Sequence, residues 1–249
     1  MNGYSQGSVT ATPDRAYLSP FQRWVRRVIH AFLYHLWVKP AITRVDTCSM
    51  LGLKLTVPPS VFHPKFYRTS RFFAGYLSTL QLEGREILEI GSGSGILSLI
   101  AARKGAVVTA VDINPHAVQC TRRNAESNGL QNRISVVESD LFKQIGEGTR
   151  FDYIIWSPPF YPREAASDES FAWNAGPGYS AISRFAKSAG GFLRENGCIL
   201  FLLSSEIEIP VILSFFREAG LTAIPAAQKK LPFEMLTIYA IRPSQHDEH

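Results

Sequence analysis

The sequence REILEIGSGSGILSLIAARKG occupies residues 85–105, and its pattern decides the fold class. An apolar run over residues 85–90 predicts a β-strand, and apolar residues at helical spacing predict a helix over residues 96–104. Between them lies a turn with three glycines, residues 91–95, where a ligand can approach the backbone because glycine has no Cβ. The N–H groups at the start of the helix favour a negatively charged group. The stretch therefore predicts an α/β fold with a ligand-binding turn at the end of a strand.

Asp112 is the next candidate for a contact with that ligand. It ends a second apolar strand, predicted over residues 106–111, and lies 21 positions after Gly91. An acidic side chain about 20 residues beyond such a turn accepts hydrogen bonds from ribose hydroxyls. The alternative is that Asp112 caps the helix predicted over residues 114–128. Because the acid, the glycine turn and the strand ends fall in register, the pattern favours ribose binding.

The spacing of the glycines argues against one common class of nucleotide-binding enzyme. The dinucleotide fingerprint G-x-G-x-x-G requires glycine at its sixth place, where this chain has Ile96. The spacing fits E-x-G-x-G-x-G instead, with Glu89 as the acid. A nicotinamide-dependent oxidoreductase is therefore a disfavoured alternative.

Two later segments repeat the order of an apolar strand followed by a polar or proline-rich turn. Residues 134–138 lead to Ser139-Asp140-Leu141-Phe142, and residues 151–156 lead to Ser157-Pro158-Pro159-Phe160. In open α/β sheets, ligands bind outside the carboxyl ends of the strands. These turns are therefore expected beside the glycine turn.

With these four segments in this order, the chain resembles the class I S-adenosylmethionine (SAM) methyltransferases. Specifically, it resembles the small-domain branch, which includes the release-factor glutamine (HemK-like) and nucleobase amino-methyltransferases. The resemblance runs from about residue 56 to residue 220. It implies a seven-stranded, mostly parallel Rossmann-like α/β sheet with one antiparallel strand, SAM as the cofactor, and a cytoplasmic enzyme. We expect a methyltransferase domain over residues 56–249, preceded by an extension over residues 1–55.

The resemblance also implies which residues bind the cofactor. Asp112 would bind the ribose, Asp140 would accept from the adenine amino group, and Leu141 and Ile113 would cover the two faces of the adenine ring. A segment before the first strand helps to close over the methionine end of SAM in this family. The candidates for it by position are Phe62, His63, Pro64, Thr69 and Ser70. The full predicted set is Glu89, Gly91, Ser92, Gly93, Gly95, Asp112, Ile113, Asp140, Leu141 and Thr69.

The catalytic turn implied by the resemblance is Ser157-Pro158-Pro159-Phe160. In the family this turn holds a planar nitrogen, whose delocalised lone pair is a poor nucleophile. The first side chain and the next backbone carbonyl accept the two N–H bonds, the prolines stiffen the turn, and the aromatic ring stacks on the acceptor. Holding the nitrogen in line with the methyl group lowers the barrier, and neither a metal nor an enzyme nucleophile is required.

The methyl acceptor stays open at this point. The glutamine-methylating members carry asparagine, which can pair with an amide through two groups, where this chain has Ser157 with a single hydroxyl. Serine at this place also resembles some cytosine amino-methyltransferases. The acceptor is therefore a protein or peptide glutamine amide, a nucleobase amine or a small molecule. A non-catalytic SAM-fold binding module is a further alternative, disfavoured by the intact Asp112 and proline turn.

Two segments outside these motifs bear on the partner. Residues 20–39 predict an amphipathic helix, with apolar residues on one stripe and basic residues off it. Three roles are open for this helix: a lid packed on the catalytic domain, a homodimer interface, or a basic helix at a membrane surface. The loop over residues 161–179 is long enough to be functional. We expect the helix and the loop together to select the acceptor.

Composition bounds the remaining classes. The chain has 249 residues, a net charge of +5 and a pI near 9.2, which is compatible with a nucleic-acid partner but not diagnostic of one. Cys48, Cys120 and Cys198 form no C-x-x-C pair, so neither a disulfide framework nor a zinc site is expected. We expect no signal peptide, and no apolar run approaches the ~18 residues of a membrane span.

Overall fold

The computed structural model describes residues 44–59, 61–64, 68–159, 175–232 and 234–244. In chain order its main elements are β1 (Asp46–Met50), β2 (Leu53–Val57), α1 (Arg68–Thr79), β3 (Glu86–Ile90), α2 (Ile96–Arg103), β4 (Val107–Asp112), α3 (Pro115–Ser127), β5 (Ile134–Glu138), β6 (Phe151–Trp156), α4 (Ser180–Ala189), β7 (Leu193–Ser204), α5 (Ile209–Glu218), β8 (Leu221–Lys230) and β9 (Met235–Pro243). The helix predicted over residues 20–39 lies outside the described residues, so its three proposed roles, including dimerisation, stay predictions.

Seven of the strands form one sheet in the order β5-β4-β3-β6-β7-β9-β8. Strands β5, β4, β3, β6 and β7 pair in parallel, whereas β9 runs antiparallel to both β7 and β8. The prediction of a seven-stranded, mostly parallel sheet with one antiparallel strand is confirmed. As a result, the carboxyl ends of five neighbouring strands lie at the same edge of the sheet, where ligands bind in open α/β folds.

Helices cover both faces of the sheet because the side chains of each strand alternate between two apolar cores. In β3, Ile87 joins the core shared with α1, α2 and α3, whereas Leu88 and Ile90 join the core shared with α4 and α5. The same alternation directs Glu89, the fourth residue of β3, to the face that α2 covers.

The strands β1 and β2 form a separate antiparallel hairpin. The sequence of residues 47–57 predicts one or two short strands of a cap or hairpin, in agreement with this structure. The inward side chains of the hairpin are buried in the same core as α1, α2 and α3; they are Met50, Leu53, Leu55 and Val57. The predicted boundary at residue 55 falls inside β2. The division of the chain into an extension and a catalytic domain stays a prediction.

The sequence pattern predicts a helix over residues 181–194 and a strand over residues 197–203, and the predicted boundary between these two elements is wrong. The helix α4 ends at Ala189, and β7 already begins at Leu193 rather than at residue 197. The reason is local, because Gly190 and Gly191 follow the helix and glycine has a low helix propensity.

Candidate active site

The register of the parallel strands brings the predicted turns together at one edge of the sheet. Ile90 at the end of β3 is the register partner of Val111 in β4 and of Trp156 in β6. The ends of β4 and β5 are aligned in the same way. The turns that follow these strands therefore begin side by side; they start at Gly91, Ile113, Ser139 and Ser157.

The glycines of the first turn serve two different purposes. Gly93 has a φ of +54°, and the position that a Cβ would occupy there is open space, as the close approach of a ligand requires. Gly95 has a φ of +79°, and a Cβ there would lie 2.9 Å from Cγ2 of Thr121 in α3. Gly95 is therefore needed for the packing of the turn against α3, whatever its part in binding the cofactor.

Asp112 is held by two backbone N–H groups. Its Oδ2 accepts from Gly93 and its Oδ1 accepts from Asn114, each at 2.9 Å. Burial raises the pKa of Asp112, while these hydrogen bonds act in the opposite direction. Asn114 is the N-cap of α3, since its side chain accepts from the N–H of His116 at 2.9 Å. The alternative in which Asp112 caps this helix is wrong, and its carboxylate oxygens retain lone pairs for a ligand.

Glu89 lies beneath the glycine turn, where it is 2% exposed. Its Oε2 accepts from the N–H of Ser98 at 2.8 Å and from the Ser98 hydroxyl. The carboxyl group thereby ties β3 to the first turn of α2, where backbone N–H groups have no partner within the helix. Burial raises the pKa of Glu89 to about 8. Its assignment as a cofactor-binding residue stays a prediction, beside this structural role.

Two residues of α3 support the glycine turn from the side, and the sequence did not single them out. Thr121 Oγ1 lies 3.0 Å from the hydroxyl of Ser92 and 3.1 Å from the carbonyl oxygen of Gly93. Asn124 Nδ2 donates to the carbonyl of Ser94 at 2.9 Å. The available signal was a pair of polar residues, three positions apart, on the buried face of an amphipathic helix.

Asp140 is part of an ion cluster on the loop after β5. Arg184 of α4 donates two hydrogen bonds to its carboxylate, both at 2.9 Å, and Lys143 Nζ lies 2.8 Å from Oδ2. These partners, with Arg184 first, lower the pKa of Asp140 to about 2. The predicted bond from the adenine amino group to Asp140 stays a prediction, and it would have to share the carboxylate with both cations.

The two predicted adenine-covering residues flank the same edge of the sheet. Ile113 directly follows β4, and its side chain is 44% exposed. Leu141 follows β5 and has a φ of +55°. Its carbonyl accepts from the hydroxyl of Ser139 at 2.9 Å. This bond stabilises the turn on which Leu141 sits.

The predicted acceptor turn is held by packing. Ser157 and Pro159 are half-buried and Pro158 is buried. The preceding Trp156 is 4% exposed, and its ring centroid lies 4.6 Å from that of Phe185. Phe160 and residues 161–174 lie outside the described residues.

The last predicted cofactor residue, Thr69, is half-buried in the first turn of α1. Its assignment to the methionine end of the cofactor stays a prediction. Within the described ranges, no group of three or more His, Cys, Asp or Glu side chains is arranged to hold a metal ion. None of the helices in those ranges is long and apolar enough to cross a membrane.

The residues at this edge fit the cofactor that the motifs implied. SAM carries a ribose with two hydroxyls, an adenine ring and a charged methionine end. Asp112 offers acceptors at a fixed position for the hydroxyls, Ile113 offers an exposed apolar surface for the ring, and Gly93 leaves the backbone open. Hydrogen-bond acceptors, an apolar surface and accessible backbone are thus available at one place, as a nucleoside ligand requires.

Comparison with known proteins defines the class. Residues 52–223 match the family described as "Methyltransferase small domain", so the chain belongs to this family. It is a SAM-dependent methyltransferase, and S-adenosylmethionine is its cofactor.

Individual relatives are similar over different shares of their length. The chain is 31% identical, over 75% of its own length and 94% of the other, to a protein of Methanocaldococcus jannaschii provisionally named a protein N5-glutamine methyltransferase. It is 30% identical, over 65% of its length, to a ribosomal protein uL3 glutamine methyltransferase of Bradyrhizobium diazoefficiens, of which it covers 56%. A solved 16S rRNA N2 G1207 methyltransferase of T. thermophilus, in complex with AdoMet and guanosine, shares the fold with a TM-score of 0.59 and 22% identity. That match covers 81% of this chain and 50% of the other.

Proposed function

We propose that this protein methylates the side-chain amide nitrogen of a glutamine in a protein substrate. The observation that carries the proposal is the place of the Ser157-Pro158-Pro159 turn, which follows β6 directly beside the glycine turn of β3. The register pair of Ile90 and Trp156 puts the two turns on neighbouring strands, about 5 Å apart in the sheet. The names of the two sequence relatives as protein glutamine methyltransferases support this choice of acceptor.

The turn has the chemistry that a planar amide requires. When bound, SAM supplies an electrophilic methyl group on a sulfonium sulfur. Ser157 Oγ and the carbonyl oxygen of Pro158 accept the two N–H groups of the amide, which orients its weakly nucleophilic nitrogen. In the transfer, the methyl carbon would form a bond to the nitrogen as its bond to sulfur broke, which would leave a neutral thioether, and the nitrogen would release one proton to water. Atoms and charge balance without a metal or a covalent enzyme intermediate.

Positioning is the main contribution of the protein in this proposal. The prolines limit the backbone of the turn, and Trp156 anchors its start between β3 and the aromatic rings of α4 and β7. A near-attack geometry of this kind reduces the entropic part of the barrier. Phe160 is proposed to stack on the flat acceptor, as in the family pattern.

The test is transfer of labelled methyl from SAM into extract of cells that lack this gene. The proposal expects label in the protein fraction, sensitive to protease and resistant to nuclease. Acid hydrolysis of the labelled protein should release the label as volatile methylamine, because hydrolysis cleaves the methylated amide bond. Methylated lysine would retain the label on the amino acid, and that result would overturn the proposal.

Two other outcomes would replace the acceptor while keeping the enzyme class. Nuclease-sensitive label that stays with the base after hydrolysis would make a nucleobase amine the acceptor. Label confined to small molecules would make this an enzyme of metabolite methylation. The matched control is a Ser157→Ala protein, which should bind SAM but transfer little label to any fraction.

A further inference from the structure

Helix α3 carries a polar stripe formed by Thr121, Asn124 and Asn128. The spacings of three and four residues place these side chains on one face of the helix. Thr121 and Asn124 are fully buried. A buried polar stripe is costly unless its groups are hydrogen-bonded, so its partners indicate what it does.

Asn124 joins two elements that are far apart in the sequence. Its Nδ2 donates to the carbonyl of Ser94 in the glycine turn at 2.9 Å. Its Oδ1 accepts from the N–H of Thr56 in β2, also at 2.9 Å. Because the carbonyl can only accept and the N–H can only donate, both partners agree on one orientation of the amide. A single side chain thus connects the cofactor turn to the β1–β2 hairpin.

Asn128 lies one helical turn further along, and its side chain bonds to the hairpin but not to the glycine turn. Its Oδ1 accepts from the N–H of Lys54 at 3.0 Å, and its Nδ2 donates to the carbonyl of Lys54 at 2.7 Å. Nδ2 also lies 2.7 Å from the carbonyl of Asn124 in the same helix. Asn124 and Asn128 therefore form a matched pair, of which only Asn124 also holds the glycine turn.

The hairpin also contacts the segment that precedes α1. Oδ2 of Asp46 in β1 lies 3.2 Å from Nε2 of His63, whose side chain is 2% exposed. His63 belongs to the segment predicted to close over the methionine end of the cofactor. The hairpin is therefore tied through β2 to the glycine turn and through β1 to this segment.

We propose that Asn124 is a positioning residue through which the β1–β2 hairpin holds the glycine turn in its cofactor-binding conformation. Docking of the hairpin and binding of SAM then favour each other, and this coupling is reciprocal. The proposal concerns the cofactor that the family defines. It does not depend on the acceptor, so a failure of the glutamine proposal would leave it standing.

The first test is hydrogen exchange of the full chain with and without SAM. SAM should slow exchange of the Thr56 and Lys54 N–H groups more than that of the amides of β9, which lies three strands away from β3 in the sheet. Equal slowing of the hairpin and of β9 would indicate a global effect on stability and would overturn the proposal. This measurement on the native protein decides the matter even where a variant fails to fold.

The second test compares Asn124→Ala with Asn128→Ala. The first variant should bind SAM roughly tenfold more weakly by calorimetry and lose the SAM-dependent slowing at Thr56. The second should exchange faster at Lys54 but keep its SAM affinity within about twofold, because the glycine turn retains Asn124. Equal losses of affinity in the two variants, or slowing at Thr56 that persists in Asn124→Ala, would overturn the proposal.

Discussion

The cofactor end and the acceptor end of the site are built by different means. At the cofactor end, buried or half-buried polar side chains accept or donate hydrogen bonds of 2.8 to 3.1 Å that hold the glycine turn and the start of α2; these side chains are Glu89, Asp112, Thr121 and Asn124. At the acceptor end, the turn that starts at Ser157 follows a tryptophan packed between aromatic rings, 4.6 Å from Phe185 and 5.6 Å from Phe201 by ring centroids.

The difference reflects what each end has to recognise. A nucleoside with fixed hydroxyls and a charged end is bound well by fixed acceptors, so the cofactor end uses directional polar groups. In the proposed function the acceptor end has to hold one nitrogen in line with a methyl group, and a stiff backbone on a packed strand end would achieve this. Selection among acceptors then falls to residues beyond the turn.

Replacing Glu89 by glutamine tests whether the buried carboxyl group at the cofactor end makes the free energy of unfolding depend on pH. This substitution has the largest expected effect. The ordinary carboxyl value is 4.5, and burial raises the folded-state pKa of Glu89 to about 8. Between these values the folded protein retains a proton that the unfolded chain has released. The contribution of Glu89 to the free energy of unfolding is therefore fully present below the lower value and is lost as pH rises to the upper one.

Between these two pKa values, ionisation of Glu89 should thus lower the wild-type free energy of unfolding by up to about 1.4 kcal/mol per pH unit. Glu89→Gln has no proton to release, so denaturant unfolding across the window should lack this slope. The control is Glu218→Gln, which alters an exposed carboxyl at the end of α5 and should keep the wild-type slope. Identical slopes of the free energy of unfolding against pH in all three proteins would contradict a raised pKa of Glu89 in the folded state.

Asp112→Ala tests whether the Asp112 carboxylate contributes to the affinity for SAM. Loss of a charged acceptor should weaken SAM binding about 10- to 100-fold in calorimetry. Asp152→Ala is the matched control, since Asp152 lies near the opposite edge of the sheet, where it accepts from the N–H of Glu86 at 2.8 Å. Affinity that is unchanged in Asp112→Ala, or equally reduced in both variants, would remove Asp112 from the binding site.

Ser157→Ala tests whether the acceptor end acts on turnover alone. Loss of one hydrogen-bond acceptor for the substrate should lower kcat roughly tenfold and leave the Kd for SAM unchanged. Ser214→Ala is a suitable control, because the Ser214 hydroxyl donates to the carbonyl of Val211 within α5 at 2.8 Å. Full activity in Ser157→Ala would exclude this hydroxyl from the reaction.

Arg184→Ala removes the ion pair between α4 and the loop after β5, and it has the smallest expected effect. Arg184 is 53% exposed, so its pair with Asp140 should contribute at most about 1 kcal/mol to the free energy of unfolding. The difference from wild type should shrink at high salt, as expected for a screened ion pair. An Arg217→Ala control should show no such salt dependence, and a salt-independent loss in Arg184→Ala would contradict the electrostatic explanation.

Local pattern predicted much of the fold. Strands β5 and β6 have the predicted bounds, because each is a short run rich in apolar and β-branched or aromatic residues bounded by turn residues. The predicted end of α4 was wrong because two apolar residues, Phe192 and Leu193, follow Gly190 and Gly191 and lead into β7. Periodicity alone does not separate the end of a helix from the start of a strand when both are apolar.

The sequence by itself determined the fold class, the order of the turns and the identity of Asp112 and Ser157 as candidates, since each depends on residues close together in the chain. Only the tertiary structure decided which side chains support them. The bond of Asn124 to Thr56 spans 68 positions, and the ion pair of Arg184 with Asp140 spans 44. Neither pairing leaves a periodic signal, because both follow from the strand order and from how the helices pack on the sheet.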